Sequence, residues 1–245
     1  MPVLEARGIT VRFGGVTALD EVDLTAERGQ VTGLIGPNGA GKSTLFNALT
    51  GLVRPTTGEV WLDGVDVTAW SPRRRARLGL GRTFQRLELF SHLNVRENVD
   101  VAVEFHRGWA GGRPTAKGRT DAIIDRLGLH DVADSRVDEL STGRSRLVEV
   151  ARALAIEPKV LLLDEPAAGL DEGETDRFGL LLRELAEVDG LAVVLVEHDM
   201  RLVMEVSDVL SVLDLGRLLA TGAPAEIRAH PEVLTAYLGP VEEPA

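Results

Sequence analysis

The sequence predicts an α/β fold, with a mostly parallel central sheet, an antiparallel β portion and a helical insertion. Three observations carry this. The string Gly36-Pro37-Asn38-Gly39-Ala40-Gly41-Lys42-Ser43-Thr44 stands between a short apolar run at 30–35 and a helical pattern of Leu45, Phe46, Ala48 and Leu49 that stops at Gly51. Continuous apolar runs at 160–164 and 191–196 flank a helical stripe of Phe178, Leu181, Leu182, Leu185 and Val188. Such runs alternating with amphipathic helices indicate a parallel sheet covered on both faces. Residues 59–67 alternate around Asp63-Gly64, which signals an antiparallel hairpin.

In chain order, 4–12 and 22–25 read as strands interrupted by Phe13-Gly14-Gly15, and 30–35 as the strand entering the glycine loop. From Ser71-Pro72 to about Leu140 the chain is charged and richer in helix signals. The run Arg73-Arg74-Arg75 with Arg77 reads as a solvated helix face. Residues 108–118 read as an exposed loop, and 120–127 as a short helix capped by Thr120 and stopped by Gly128. Ser141 is a good N-cap for an amphipathic helix that ends before Pro158. Residues 208–222 read as a strand pair around Gly216, 224–238 as short helices, and 241–245 as a frayed tail. The expected organisation is one domain over 1–245, with 1–84 and 156–245 forming a core and 85–155 a helical subdomain.

The glycine string has the spacing G-x-x-x-x-G-K-[ST] of a phosphate-binding Walker A loop. Glycines let backbone N–H groups approach phosphate oxygens, and the following helix points its positive end at the same place. Lys42 would bridge the β- and γ-phosphates, and Ser43 would ligate Mg²⁺. The apolar strand ending Leu163-Asp164-Glu165-Pro166 is the natural partner of this loop, because ligands bind at the carboxyl ends of such strands. Asp164 would hold Mg²⁺ and Glu165 would polarise the attacking water as general base. His198 follows the second apolar strand, and its end would face the γ-phosphate. Ser141 and Gly143 at a helix N-terminus offer a second anion site.

Composition excludes several other readings. The net charge of −11 opposes nucleic-acid binding by the surface as a whole. Cysteine is absent, so no disulfide or thiolate metal site is available. No apolar run approaches the roughly 18 residues a spanning helix needs, and residues 1–5 lack the regions of a signal peptide. Any membrane role must come through a partner chain. A small-GTPase switch would fit the Walker loop, but no Asn-Lys-x-Asp guanine-reading motif occurs.

These pieces, in this order, resemble the nucleotide-binding subunit of ABC transporters over nearly the whole chain. Walker A lies at 36–44, the Q-loop at Gln85, the signature at 140–144, Walker B at 160–165, the D-loop at Asp171 and the H-loop at His198. The pattern is most similar to ATPases of branched-chain (hydrophobic) amino acid importers. That likeness is carried by Gly81-Arg82-Thr83-Phe84-Gln85, Glu165-Pro166-Ala167-Ala168-Gly169-Leu170, Glu197-His198-Asp199-Met200 and Ala236-Tyr237-Leu238-Gly239. The signature departs from the usual L-S-G-G-Q, with Thr142 for the first Gly and Arg144 for the Gln.

The resemblance implies a P-loop NTPase fold of the ABC ATPase type that binds ATP with Mg²⁺ and hydrolyses it to drive transport. It implies nucleotide contacts from Phe13 (stacking the adenine), Gly36, Asn38, Gly39, Gly41, Lys42, Ser43 and Thr44, and from Ser141 and Gly143 toward a second subunit. It implies catalytic roles for Lys42, Gln85, Glu165 and His198, and Mg²⁺ ligation by Ser43, Gln85 and Asp164. The expected partners are transmembrane permease subunits, a second ATPase subunit (identical or paralogous) and, indirectly, a substrate-binding protein, at the cytoplasmic face of the cell membrane. A lipid or lipopolysaccharide exporter ATPase is the alternative within transporters. A soluble ABC ATPase acting on DNA or ribosomes is the alternative outside them, opposed by the acidic charge and the single cassette.

Overall fold

The computed structural model describes residues 2–109 and 118–233. Two sheets share the chain. Strands β1 (Pro2–Phe13), β2 (Val16–Glu27), β4 (Thr57–Leu62) and β5 (Val65–Asp66) form an antiparallel sheet in the order β2-β1-β4-β5. The second sheet runs β10-β9-β3-β8-β7-β6, from β3 (Val31–Ile35), β6 (Leu80–Arg82), β7 (Val160–Asp164), β8 (Ala192–Val196), β9 (Val209–Asp214) and β10 (Arg217–Gly222). All its neighbours pair parallel except the β9–β10 hairpin.

The helices are α1 (Lys42–Thr50), α2 (Pro72–Leu78), α3 (Val95–Trp109), α4 (Arg119–Arg126), α5 (Thr142–Ala155), α6 (Glu172–Glu187), α7 (Met200–Val206) and α8 (Pro224–Arg228). They cover the second sheet on both faces, which explains the unbroken apolar runs. Val160 and Leu162 of β7, with Ala192, Val194 and Val196 of β8, join a core shared with α1 and the antiparallel sheet. Leu161 and Leu163, with Val193 and Leu195, join the other core, with α3, α5 and α6. Alternate side chains therefore point into different cores, and neither face can be polar.

Several elements differ from the sequence reading. β1 and β2 are each a full 12 residues, so the 22–25 run is only part of its strand. β6 pairs with β7 although its three residues carry no alternation. The helix opening near Gly118 is not capped by Thr120. Its N-cap is Gly118 in the left-handed region, and the Thr120 hydroxyl instead bonds the Asp100 carboxylate. Gly108 and Trp109 lie within α3, and 110–117 of that expected loop lie outside the described residues. Val188 is 76% exposed. Ten residues on from Phe178 is about 80° round the helix, and α6 has already ended at Glu187. Residues 234–238 of the expected terminal helices and the tail at 241–245 also lie outside the described residues.

The arginine run is not wholly solvated. Arg75 is fully buried and donates from Nη1 to Ala48 O (2.7 Å) and Leu49 O (2.6 Å), and from Nη2 to Thr68 O (3.0 Å). Two of these carbonyls close the last turn of α1, where orphan acceptors and the negative dipole end favour a cation. Burial pushes the Arg75 guanidinium down to about 10, opposed by Asp66.

Candidate functional site

The order of the second sheet assembles the site. β8 lies between β3 and β7, so the ends of three parallel strands lie side by side. β3 runs into the glycine loop, β7 ends at Asp164 and Glu165, and β8 ends before Glu197 and His198. The register Asp164↔Val196 fixes the relative heights of the last two. A cavity of about 230 Å³ opens at these ends, lined by Asn38–Thr44, Gln85, Glu165, Val196 and His198.

The glycine loop is shaped by close approach. A Cβ at Gly36 would lie 2.0 Å from Leu213 O, so no other residue fits there without moving β9. Lys42, 8% exposed, donates from Nζ to Gly36 O (2.6 Å) and Pro37 O (3.0 Å). Its ammonium is thus held at the loop by the loop's own carbonyls. Burial pushes the Lys42 pKa below its ordinary value, and the Glu165 and Asp164 carboxylates oppose that shift. Ser43, next along, is exposed at the cavity.

Two carboxylates follow β7 and meet different surroundings. Asp164 is buried, and burial raises its pKa against the pull of Arg82. Its N–H donates to Thr83 Oγ1 at 3.1 Å. Glu165 turns out of the strand with φ +52°, and its N–H donates to Val196 O at 2.8 Å. This turn aims the Glu165 side chain into the cavity, where Oε1 lies 3.1 Å from His198 Nε2. A carboxylate only accepts, so this contact requires the tautomer with hydrogen on Nε2, or the protonated ring.

His198 is braced from behind. Buried Glu197 accepts from Ala167 N (2.7 Å) and His198 N (3.1 Å), tying the loop after β7 to the end of β8. Burial raises the Glu197 pKa, and these two backbone bonds hold it down in part. On the other wall, Arg146 of α5 donates from Nη1 to Phe84 O at 2.6 Å and from Nη2 to Gln85 O. The backbone at Gln85 is thereby fastened to α5.

The remaining sequence-expected residues lie outside this lining. Phe13 ends β1, 53% exposed, and Gly36 lies beneath the loop. Ser141 caps α5 as expected, accepting from Arg144 N at 3.3 Å, but neither it nor Gly143 lines the cavity. Gly143 packs against the segment after β7, where a Cβ would lie 2.5 Å from Gly169 O. Arg144 turns toward its own chain, with Nη1 on Asp131 Oδ2 at 2.7 Å and Nε 3.9 Å from Glu174 Oε1. Glu174 and Asp171 form a capping box on α6, so Arg144 reaches the start of that helix.

Sequence reading missed Arg82, Arg146 and the bracing role of Glu197. The available signal was charge where a buried stripe or strand end leaves no solvent, as with Arg146 and Glu149 at i,i+3 within the apolar face of α5.

A family model described as "ABC transporter" matches residues 19–168, and one described as "Branched-chain amino acid ATP-binding cassette transporter" matches 217–239. The chain is 40% identical over 250 residues to the high-affinity branched-chain amino acid transport ATP-binding protein BraF of Pseudomonas aeruginosa, covering 97% of this chain and 98% of that protein. It is 38% identical, with the same coverage, to the protein of the same description, LivG, of Escherichia coli. Among solved structures it resembles a nucleotide-free ATP-binding cassette from an ABC transporter, with 30% identity, TM-score 0.85, and coverage of 98% of this chain and 100% of that one. It also resembles a dimeric cassette in a post-hydrolysis state bound to ADP and Pi, with 27% identity, TM-score 0.81, and coverage of 90% and 98%.

Proposed function

The chain belongs to the ABC transporter family of ATP-binding proteins, and from that premise we propose that it is the ATP-hydrolysing subunit of an importer for branched-chain amino acids. The observation that carries this is one cavity lined by Asn38–Thr44, Gln85, Glu165 and His198, in a chain similar to BraF over 97% of its length. The match of 217–239 to the branched-chain model supports the cargo class.

The donor set fits magnesium. Ser43 offers a hydroxyl, Asp164 a carboxylate and Gln85 an amide oxygen, all hard ligands of the kind this ion takes. Among the described residues no group of three or more His, Cys, Asp or Glu could hold a metal alone. Magnesium ordinarily keeps several waters and is held by one or two protein oxygens together with nucleotide phosphates. When bound, the ion would neutralise charge on the β- and γ-phosphates.

The chain's own residues do the rest. The loop N–H groups and Lys42 hold the phosphates, while Phe13 stacks the adenine. Glu165 takes the proton of the attacking water, and His198 fixes the Glu165 carboxylate in the position for it. Ser141 and Gly143 meet the nucleotide of a second ATPase subunit, identical or paralogous, so that closure excludes water and hydrolysis waits for dimerisation. Segment 85–140 docks on transmembrane permease subunits at the cytoplasmic face of the membrane, with Gln85 reporting nucleotide state. Among the described residues no helix is long and apolar enough to cross a membrane. A substrate-binding protein acts only through the permease, and nucleic acid takes no part.

Affinity purification of the tagged chain from solubilised membranes tests this. The expected partner is a permease whose complex, reconstituted with its binding protein, takes up leucine, isoleucine or valine on ATP hydrolysis. Recovery with a lipid-exporter permease, or with ribosomes or DNA and no membrane protein, would refute it.

A further inference from the structure

One buried cation near the site has no part in the scheme above. Arg82 ends β6 with its side chain 7% exposed, and its Nη2 lies 3.5 Å from Asp164 Oδ2. That is longer than the 2.7–2.9 Å or so of a charge-assisted bond. The guanidinium is kept at this distance by other bonds. Nη1 donates to Asn47 Oδ1 (2.7 Å) and Thr50 Oγ1 (3.2 Å), and Nε donates to Thr83 O (3.2 Å). The rings of Phe46 and Phe84 lie 5.6 Å and 4.8 Å from its central carbon.

The anchors are informative by position. Ser43, Asn47 and Thr50 follow one another at i, i+4 and i+7, on one face of α1. Arg82 therefore links the helix face that begins with Ser43 to the strand that ends in Asp164. Thr83, the next residue, takes the Asp164 N–H on its hydroxyl, so the guanidinium and the carboxylate are referenced to the same short stretch of chain. A closer, two-pronged ion pair would occupy the oxygens that a metal needs.

We propose that Arg82 is a positioning residue for magnesium, holding the Asp164 carboxylate by charge while leaving its oxygens free to ligate. The inference rests on the reading of Asp164 as a magnesium ligand. Arg82 is not among the residues lining the cavity, and it acts through Asp164.

The test is binding of a fluorescent ATP analogue to the full chain, in EDTA and across a Mg²⁺ titration. In Arg82→Met the Mg²⁺ concentration for half-saturation should rise roughly 10- to 100-fold, as is typical when a residue behind a metal ligand is lost, while affinity in EDTA stays within about two-fold. Arg82→Lys, which keeps the charge and loses the planar fork, should fall between the two. An equal loss of affinity with and without Mg²⁺ would indicate a structural role and overturn the proposal. Asp164→Asn is the reference. A shift there with none in Arg82→Met overturns this proposal alone, whereas no shift in Asp164→Asn overturns the magnesium reading beneath it. Should Arg82→Met fail to fold, Asn47→Leu carries the test, since it removes the 2.7 Å anchor and leaves Arg82 in place. A Mg²⁺ half-saturation unchanged in Asn47→Leu would overturn the proposal.

Discussion

Glu165→Gln separates catalysis from folding more cleanly than any other single change at the site. The side chain makes one direct contact with a neighbouring side chain, the 3.1 Å contact to His198 Nε2, and that histidine side chain is 53% exposed. The backbone bond from Glu165 N to Val196 O does not depend on the side chain. An amide keeps the shape, and its oxygen can still accept from His198, so the cost to folding should stay below the roughly 0.5–1.5 kcal/mol of a typical hydrogen bond. The amide cannot take a proton from water. Loss of a general base costs on the order of 10²–10⁴ in rate, or about 2.7–5.4 kcal/mol of transition-state stabilisation. Binding should survive, because Lys42, Ser43 and Asp164 are untouched. The assay is phosphate release at saturating MgATP, beside binding of a fluorescent ATP analogue and size exclusion with ATP. The expected result is hydrolysis nearly abolished, binding retained and a shift toward dimer. The further change Ser141→Arg should abolish the shift by blocking the second anion site. Hydrolysis within a few-fold of wild type in a folded Glu165→Gln variant would refute the assignment of the base.

Three other changes test particular packing. Gly143→Ala places a Cβ 2.5 Å from Gly169 O and 2.8 Å from Leu170 Cδ2. Backbone cannot yield as a side-chain tip can, so the expected cost is about 1–3 kcal/mol in a urea titration, with nucleotide binding retained. An unchanged midpoint would show that the two segments separate freely. Arg75→Met takes the guanidinium donor from the buried Leu49 O, from Ala48 O, which keeps the Gly51 N–H, and from the part-buried Thr68 O, and should destabilise the chain by about 1–3 kcal/mol. A midpoint equal to wild type would mean water replaces the guanidinium at no cost. Glu197→Gln tests pH dependence. Burial raises the folded pKa of Glu197 above its ordinary 4.5, so its stabilising contribution is complete below that value and is lost as pH rises through the folded pKa. The permanently neutral glutamine should therefore gain on wild type as pH rises above 4.5, and a difference in urea midpoint that does not vary with pH would count against the buried carboxylate.

Local pattern was enough to read much of this chain. The strand, glycine loop and helix over 31–50 lie within one stretch, so their glycines, apolar run and Gly51 stop are legible without any distant residue. The same holds for 160–165 and 191–198, because an apolar strand and the polar residues at its end are neighbours in the chain. Lys42, Ser43, Glu165 and His198 of the cavity lining could be named for that reason, whereas Gln85 was named only through the family resemblance. What the pattern did not reveal is the fate of charge inside the fold. Arg75 and its two neighbours look alike in sequence, and only the approach of α1 decides that Arg75 is buried. Val188 continues an apolar stripe on paper, but the helix ends before it and leaves it in solvent. Thr120 has the chemistry of a cap, while Asp100 on another helix claims its hydroxyl. Arg82 meets Asp164 across 82 positions of sequence, and Glu197 meets Ala167 across 30. Apolar burial repeats with the period of its own element and so is written locally. A buried charge has no period, because its place depends on partners that only the packed sheet and helices bring within reach.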